Sequence, residues 1–224
     1  MYDKFYNVSR KNMVNNQIIT NKVVNPMIIE AFLDIEKEKF VPKSQLPIVY
    51  SDAEIPFNSK RSMMKSFLFA KMIEYSKITE DESILTIGCL TGYSVAIISK
   101  LAGYVFGLED SQDFVKQANQ KLISMACHNC SVNYGKLSDG LKKNMPFDKI
   151  IIEGGVEVIP ENITQQLKDG GEIFAIFKDS SSLVGKYMVG LKVDGIVSYR
   201  HLFDANAKIL NDFMKLGESY EFKS

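Results

Sequence analysis

Residues 83–98 read SILTIGCLTGYSVAII, and this stretch decides the fold. Its first half, SILTI, predicts a buried strand, and YSVAII has the composition of a buried helix. The turn between them carries Gly88 and Gly92, which permit positive φ and let another molecule approach the backbone closely. A strand, a glycine-bearing turn and a helix in this order are typical of sites for nucleotide-like ligands. The middle of the turn, where a third glycine is usual, is Leu90.

Strands and helices alternate from residue 67 onward, which predicts an α/β protein with a doubly wound, mostly parallel, Rossmann-like sheet. The last two strands have no helix between them, and Asp194-Gly195 predicts that they form an antiparallel hairpin. The predicted strands are 83–87, 104–108, 131–134, 147–153, 172–177, 185–191 and 195–203, and the predicted helices are 67–76, 92–101, 111–125 and 161–167.

The first 66 residues have a different pattern and predict a helical and loop-rich extension that covers the site. Ser9 is a candidate cap for a first helix, and Asn25-Pro26 opens a second helix that is ended by Phe40-Val41-Pro42. Residues 43–66 show no period and predict a long loop. The expected division is therefore an extension, 1–66, and a Rossmann-like domain, 67–224, which together form one structural unit.

The composition describes an ordinary globular chain of 224 residues with 27 basic and 27 acidic side chains. This balance argues against nucleic acid as the partner. No apolar stretch reaches the ~18 residues of a membrane span, and the N-terminus lacks the apolar core of a secretory signal, so we expect no membrane association. Three cysteines cannot all pair within one chain, which favours a reducing cytoplasm. We expect a monomer.

The stretch CHNC, residues 127–130, raises the question of redox or metal chemistry. A redox pair with this spacing usually places its first cysteine at a helix N-terminus, whereas this one follows a predicted helix C-terminus. Zinc needs three or four ligands, and outside this stretch only Cys89 and His201 are usual candidates. We therefore interpret CHNC as a structural loop and expect no metal site.

An acidic pair on the next predicted strand indicates which kind of ligand the turn binds. The next predicted strand, YVFGLED, ends in Glu109-Asp110, about 20 residues after the turn. In doubly wound sheets, an acid at the tip of the second strand binds the hydroxyls of a ribose. Turn and acid together predict a site for a nucleoside-containing cofactor. On these two features alone, a plain α/β turn with a solvated acid remains an alternative.

At this point the chain resembles the protein-L-isoaspartate (D-aspartate) O-methyltransferases, a family that uses S-adenosylmethionine. The resemblance extends over about residues 11–177 and depends on the order and spacing of several motifs. These motifs are MVNNQIITNKVVNPMIIEAFLDIEKEKFVP at 13–42, TIGCLTGYS at 86–94, VFGLED at 105–110 and FDKIIIEGGVEVIPENITQQLKDGGEIFAIF at 147–177.

The resemblance implies S-adenosylmethionine as the cofactor and a carboxylate of an isoaspartyl protein or peptide, or a related carboxylate, as the methyl acceptor. It implies that Glu109 binds the ribose. The cofactor-binding residues that we infer are Gly88, Cys89, Thr91, Gly92, Tyr93, Glu109, Asp110 and Leu137.

Three departures from the family pattern affect this site. The family's turn begins with an acid and has a glycine in its middle, where this chain has Thr86 and Leu90. The family's Gly-Asp-Gly, whose Asp contacts the adenine, is Gly-Lys-Leu here, and Lys136 cannot accept a hydrogen bond.

The third departure lies in the substrate loop. The family's Thr-Ile-Ser-Gln-Pro corresponds to SMMKS at 62–66, which places Met64 at the catalytic serine. Ser62 retains a hydroxyl and is our candidate catalytic residue. A shift in this loop would bring Ser66 or Ser59 into play.

Two functions are consistent with these residues. One is an S-adenosylmethionine-dependent carboxyl methyltransferase, favoured by the retained Gly88, Gly92 and Glu109. The other is a catalytically impaired member of the family that binds cofactor, peptide or a partner protein, favoured by Leu90, Lys136 and Met64.

Overall fold

The structure is a computed structural model that describes residues 2–179 and 181–215. Its strands are β1 Ile55–Pro56, β2 Ser62–Met63, β3 Ser83–Ile87, β4 Tyr104–Glu109, β5 Cys130–Tyr134, β6 Phe147–Val156, β7 Leu167–Phe177, β8 Gly185–Val193 and β9 Ile196–Ala205. Seven of them form one sheet in the order β5-β4-β3-β6-β7-β8-β9. The strands from β5 to β7 are parallel, whereas β8 and β9 are antiparallel to their neighbours. The predicted fold class is thus confirmed.

The order of the strands fixes where a ligand can bind. The chain runs from β3 outward to β4 and β5, and then crosses back to β6 and β7 on the other side of β3. The strand order therefore reverses between β3 and β6, and ligands of such sheets bind at the carboxyl ends of the strands at this point. The helices are α1 Tyr2–Met13, α2 Pro26–Asp34, α3 Ser66–Ser76, α4 Tyr93–Ile98, α5 Gln112–Ser124 and α6 Glu161–Thr164.

Several element boundaries differ from the predicted ones. The helix predicted over 161–167 is only four residues long, because Leu167 already pairs with Phe147 in the sheet. Helix α4 starts one residue later than predicted, because Gly92 has a φ of 88° and is not helical. The hairpin turn is as predicted: Asp194 and Gly195 both have positive φ, at 50° and 80°, as a two-residue type I′ turn requires.

The N-terminal extension is more regular than predicted. Helix α1 already includes Ser9, so the prediction that Ser9 caps a helix is wrong. Asn25 does cap α2, because its side-chain oxygen accepts the N–H of Met27 at 2.9 Å, but α2 ends at Asp34 and not near Phe40. The predicted long loop at 43–66 contains a 3-10 turn at Lys43–Ile48 and a small antiparallel hairpin of β1 and β2.

The extension packs directly on the sheet domain. Buried apolar residues of both parts belong to one core, in which the rings of Phe32 and Tyr93 lie 6.2 Å apart. The β1–β2 hairpin of the extension lies at the carboxyl ends of the strands, because Arg61 in this hairpin contacts Glu109 at the end of β4.

A C-terminal segment covers the same end of the sheet. The N–H of Gly155 on β6 donates to the carbonyl of Lys208 at 2.8 Å, and the N–H of Leu210 donates to Gly155 at 2.9 Å. A Cβ on Gly154 would lie 2.6 Å from Leu210, so the segment depends on a glycine for its close approach.

Cys127 and Cys130 form a disulfide, and the third cysteine, Cys89, is free and buried. The pair lies within the CHNC stretch that we interpret as a structural loop. Within the described residues, no helix is both long enough and apolar enough to cross a membrane.

Candidate cofactor site

The turn between β3 and α4 adopts a backbone that suits a close-bound ligand. Gly88, Leu90 and Gly92 all have positive φ, at 86°, 50° and 88°. A Cβ on Gly92 would lie 3.0 Å from the Cβ of Ala118 on α5, so both its φ and its neighbour require a glycine. Leu90 adopts a left-handed conformation that costs a non-glycine residue roughly 1–2 kcal/mol.

Glu109, the predicted ribose-binding acid, lies beside this turn at the end of β4. Its side chain is fully buried, and its Oε2 accepts the N–H of Leu90 at 2.7 Å. Parallel strands bring their carboxyl ends to one edge of a sheet, which explains why two motifs 19 residues apart meet here. The sequence predicted this pairing of turn and acid correctly.

The carboxylate of Glu109 is already bound by a side chain of the chain itself. Arg61, directly before β2 in the β1–β2 hairpin, donates to both Glu109 oxygens, each at 2.9 Å. The same guanidinium donates to Asp110 Oδ1 at 2.8 Å and to the carbonyl of Gly88 at 3.0 Å. Arg61 therefore takes the hydrogen-bonding positions that we expected a ribose diol to take.

The ion pair between Arg61 and Glu109 is buried, and burial affects the pKa values of both side chains. Burial lowers the pKa of the Arg61 guanidinium, but its contacts with Glu109 and Asp110 outweigh this effect and raise the pKa. For Glu109, burial raises the pKa of the carboxyl, and Arg61 opposes the rise. Arg61 is consequently a permanent cation that compensates a carboxylate removed from water.

A small enclosed cavity lies next to the turn. Its volume is about 10 Å3, which is room for about one water. It is lined by Met63, Met64, Ser66, Phe69, Cys89, Leu90, Tyr93, Ser94 and Glu153. A nucleoside with an amino-acid arm does not fit here while the hairpin is closed.

The chemistry of the lining nevertheless fits S-adenosylmethionine. The 88–92 turn is a cradle that a Cβ would fill, and Glu109 is an acid of the kind that binds a ribose diol. What stands in the way is the position of Arg61. We therefore describe this conformation as closed, and binding of a cofactor requires the Arg61 side chain to move.

The serine residues of the substrate loop differ in their surroundings. The hydroxyl of Ser62, our candidate catalytic residue, donates to Glu54 Oε2 at 2.8 Å, and Ser62 does not line the cavity. Ser66 does line the cavity, and its hydroxyl accepts a hydrogen bond from Lys37 Nζ at 2.9 Å. Burial lowers the pKa of Lys37 to about 8. Ser59 lies at the exposed tip of the hairpin.

The remaining predicted contacts are spread around the turn. Thr91 faces the extension, since its hydroxyl donates to the carbonyl of Phe40. Tyr93 packs between the rings of Phe32 and Phe40 and also lines the cavity. Cys89 is a buried thiol whose pKa burial raises well above its usual value.

The predicted adenine end of the site holds an acid that the motif does not supply. Leu137 is buried and its N–H donates to Asp212 Oδ2 at 3.0 Å. A carboxylate from the C-terminal segment thus lies beside the residue that follows Lys136.

Sequence reasoning missed Arg61 and left the role of Glu153 open. Arg61 lies 48 residues before its partner Glu109, in a loop without periodicity. A lone arginine in a polar loop gives no local signal for a buried ion pair, because surface arginines have the same sequence context. Glu153 ends the predicted strand 147–153 at the active edge of the sheet, where the sequence allows it to contact substrate or to cap the following turn, but does not predict its hydrogen bond from Thr86.

The fold and the site together define a class of protein. A doubly wound sheet with a glycine-bearing turn after its first parallel strand, and with an acid at the tip of the second, is the arrangement of S-adenosylmethionine-dependent methyltransferases. Comparison with known proteins leads to the same class of protein. The family model "Protein-L-isoaspartate(D-aspartate) O-methyltransferase (PCMT)" matches residues 8–186. The chain belongs to this family of O-methyltransferases, as its resemblance predicted.

Individual relatives are distant but cover most of the chain. It is 27% identical over 177 residues to the protein-L-isoaspartate O-methyltransferase of Trichlorobacter lovleyi, covering 79% of this chain and 82% of that protein. It is 30% identical over 173 residues to the one from Syntrophus aciditrophicus, covering 77% of this chain and 79% of that protein.

Solved structures share the fold. One protein-L-isoaspartate O-methyltransferase superposes with a TM-score of 0.78 at 23% identity, over 89% of this chain and 65% of the other. The Plasmodium falciparum beta-aspartate methyltransferase (PCMT), in complex with S-adenosyl-L-homocysteine, superposes with a TM-score of 0.74 at 15% identity, over 92% of this chain and 98% of the other.

Leu90 offers a first test of the site. Its buried side chain lines the cavity, so Leu90→Gly and Leu90→Ala are both expected to bind S-adenosylhomocysteine severalfold more tightly than the parent chain. Each variant loses about 2 kcal/mol of apolar burial, and only the glycine variant recovers ~1 kcal/mol of backbone strain. Calorimetric titration and thermal unfolding measure the two effects. Unchanged or weaker binding in both variants would show that the turn has adapted to leucine.

Proposed function

We propose that this chain transfers the methyl group of S-adenosylmethionine to a carboxylate of an isoaspartyl residue in a protein or peptide. The observation that carries the proposal is the junction of the 88–92 turn with Glu109, which keeps the ribose acid at hydrogen-bonding distance from the turn. Membership in the family supports the reaction class. The names of the relatives support the isoaspartyl substrate.

Methyl transfer to a carboxylate mainly requires the protein to align the acceptor with the methyl group. S-adenosylmethionine, when bound, supplies a sulfonium methyl group that an in-line nucleophile can displace. A carboxylate acceptor is already an anion, so no strong base is needed, and the loss of a serine at Met64 is tolerable. The protein has to hold the acceptor in line and exclude water, and a misplacement of ~1 Å costs about 100-fold in rate.

The residues that we assign to these tasks surround the cavity. Glu109 and Asp110 would hold the ribose, the backbone of the turn would accommodate the amino-acid arm, and Leu137 would contact the adenine. The acceptor would enter past the β1–β2 hairpin, where Ser66 presents a hydroxyl that is fixed by Lys37. Ser62 remains the candidate from the family motif, and its hydroxyl would have to leave Glu54 to act.

We further propose a monomer that acts on protein substrates in the cytoplasm, and not on nucleic acid or at a membrane. The equal numbers of acidic and basic residues support the absence of a polyanion partner. Residues 1–66 would serve as the cover of the site and 67–224 as the domain that binds the cofactor.

A second function is favoured by one specific observation. Arg61 binds both oxygens of Glu109, the acid that we expect to bind the ribose. Such an internal ion pair is what we would expect in a site that no longer binds a cofactor. In this case the fold would act as a binding module for a peptide or a partner protein, without methyl transfer.

A labelled-methyl assay separates the two functions. The substrates are two peptides of one sequence, which contain either an isoaspartyl or an aspartyl residue. We expect label in the isoaspartyl peptide only, with a slow rate because the closed conformation has to open first. Incorporation into neither peptide, together with measurable binding of the isoaspartyl peptide, would contradict methyl transfer and support the binding module.

A further inference from the structure

We propose that Glu153 supplies the carboxylate that the turn lacks at Thr86, and that it binds the ammonium group of the amino-acid arm of S-adenosylmethionine. The inference rests on the proposed function and adds a cofactor-binding residue to it. Glu153 lies on β6, across the switch point from the glycine turn on β3.

The position of Glu153 in the sheet brings its side chain next to Thr86. Thr86 on β3 is paired in register with Ile151 on β6, and Glu153 lies two residues further along β6. Side chains two residues apart in a strand point to the same face, so Thr86 and Glu153 share a face at the ligand end of the sheet. The hydroxyl of Thr86 donates a hydrogen bond to Glu153 Oε1. The Glu153 carboxylate thus reaches the place where a longer acidic side chain at residue 86 would end.

The electrostatic surroundings of the Glu153 carboxylate favour a cationic ligand group. Glu153 lines the closed cavity, and burial raises the pKa of its carboxyl to about 7. The nearby hydroxyls of Ser94 and Thr86 and the charge of Arg61 lower the pKa of Glu153, whereas the charge of Glu109 raises it, and the Thr86 hydroxyl donates directly to the carboxylate. Among the described ion pairs of this region, Arg61 contacts Glu109 and Asp110, and none includes Glu153. A carboxylate in this situation is stabilised by a cation that enters the cavity.

A cofactor held by Leu137 and Glu109 would extend across the sheet toward Glu153. With the adenine at Leu137 after β5 and the ribose at Glu109 on β4, the rest of the molecule extends across β3 toward β6. From β4 to β6 is two strand spacings, or about 10 Å, which an amino-acid arm attached to the ribose through sulfur can span. The ammonium is the cationic group at the end of this arm.

The proposed reaction does not require Glu153 to act as a general base. The acceptor in the proposed reaction is a carboxylate that is ionised at neutral pH, so no proton has to be removed from it. The carboxyl of Glu153 is also held by the Thr86 hydroxyl on β3, which is the strand of the cofactor turn and not of the substrate hairpin.

The test compares two ligands that differ in the amino-acid arm. S-adenosylhomocysteine carries the ammonium, and 5′-methylthioadenosine keeps the adenine, the ribose and the sulfur but lacks the arm. Calorimetric titration of Glu153→Gln is expected to show a loss of roughly ten- to a hundredfold in affinity for S-adenosylhomocysteine, as for a lost charge-assisted hydrogen bond. The affinity for 5′-methylthioadenosine is expected to change less than about twofold.

A swapped variant keeps the proposal testable if Glu153→Gln folds poorly. Thr86→Glu combined with Glu153→Thr returns the carboxylate to β3 and retains the pairing of hydroxyl and carboxylate. The swapped variant is expected to bind S-adenosylhomocysteine with an affinity within about threefold of that of the parent chain. Thr86→Val, which keeps Glu153, is likewise expected to retain most of the affinity.

Each outcome has one meaning. Equal losses for both ligands in Glu153→Gln, or no loss for either, would overturn the role of Glu153 while leaving the proposed function intact. Failure of S-adenosylhomocysteine to bind both the parent chain and Arg61→Ala at millimolar concentration would instead overturn the proposed function, and the role of Glu153 with it.

Discussion

Replacing Arg61 with alanine is expected to raise the affinity for S-adenosylhomocysteine by roughly ten- to a hundredfold, because the ribose no longer has to displace a guanidinium from Glu109. In the closed conformation this guanidinium makes two hydrogen bonds to Glu109, one to Asp110 and one to Gly88. Any ligand that uses the same carboxylate has to break them first. Calorimetric titration of parent and variant gives the ratio of affinities directly.

The size of the effect follows from the population of the open conformation. If the site is open in a fraction f of molecules, the apparent dissociation constant is the intrinsic one divided by f. A difference of about 1.4–2.7 kcal/mol in favour of the closed state corresponds to f of about 1–10%. Arg61→Ala removes the interaction that holds the site closed, so its affinity approaches the intrinsic value.

Two further variants test whether the gain in affinity is specific to Arg61 and to its charge. Lys60→Ala changes the exposed neighbour on the same hairpin and is expected to bind like the parent chain. Arg61→Met keeps the apolar stem without the charge, and tighter binding in this variant would show that the ion pair, rather than the bulk of the side chain, closes the site. Unchanged affinity in both Arg61 variants, with folding verified by circular dichroism, would contradict the role of Arg61 as an obstacle to the cofactor.

A mobile Arg61 would also give the chain a use for the closed state. The guanidinium is a cation next to an acid, and the ribose that we expect there is neutral. If a ribose displaced Arg61, the guanidinium would lose its hydrogen bonds to Glu109 and its positive charge would be available to another anion. The closed conformation is therefore compatible with the proposed methyl transfer, because one movement of Arg61 would free Glu109 for the ribose and the guanidinium for an anion.

The sequence predicted the parts of the site that depend on local patterns. The alternation of apolar strands and helices predicted the sheet, and the spacing from Gly88 to Glu109 predicted that turn and acid would meet. Both predictions rely on a rule that holds for the whole fold class: parallel strands collect their carboxyl ends at one edge.

The features that the sequence did not predict are contacts between distant segments. Arg61 and Glu109 are 48 residues apart, Thr86 and Glu153 are 67 apart, and Leu137 and Asp212 are 75 apart. Each pair joins two segments that are far apart in the chain, and Arg61 and Asp212 lie outside all of the motifs quoted above. A motif read along the chain therefore shows that a residue has been lost, but not that another segment has supplied the same chemical group from across the sheet.

Glu109→Gln is expected to lower the free energy of unfolding by about 3–5 kcal/mol, because it leaves the charge of Arg61 buried without its main partner. The change is nearly isosteric, so little packing is lost, and the effect reports the ion pair. Arg61 is 9% exposed and the Glu109 side chain is fully buried, so solvent does not screen the loss. Urea unfolding of the two proteins, followed by circular dichroism, measures the difference.

The double variant Arg61→Met/Glu109→Gln decides whether the loss comes from the unpaired charge. Removing both charges is expected to restore at least half of the lost stability, since apolar or neutral groups of similar volume often replace a buried ion pair without cost. Asp110→Asn is the matched control: its side chain is half-exposed, so its contact with Arg61 is expected to contribute less than about 1 kcal/mol. A double variant no more stable than Glu109→Gln alone would show that Glu109 stabilises the turn through Leu90 and not through Arg61. In that case Arg61 would be free to leave the site at little cost in stability, and the expected gain in cofactor affinity on removing it would shrink accordingly.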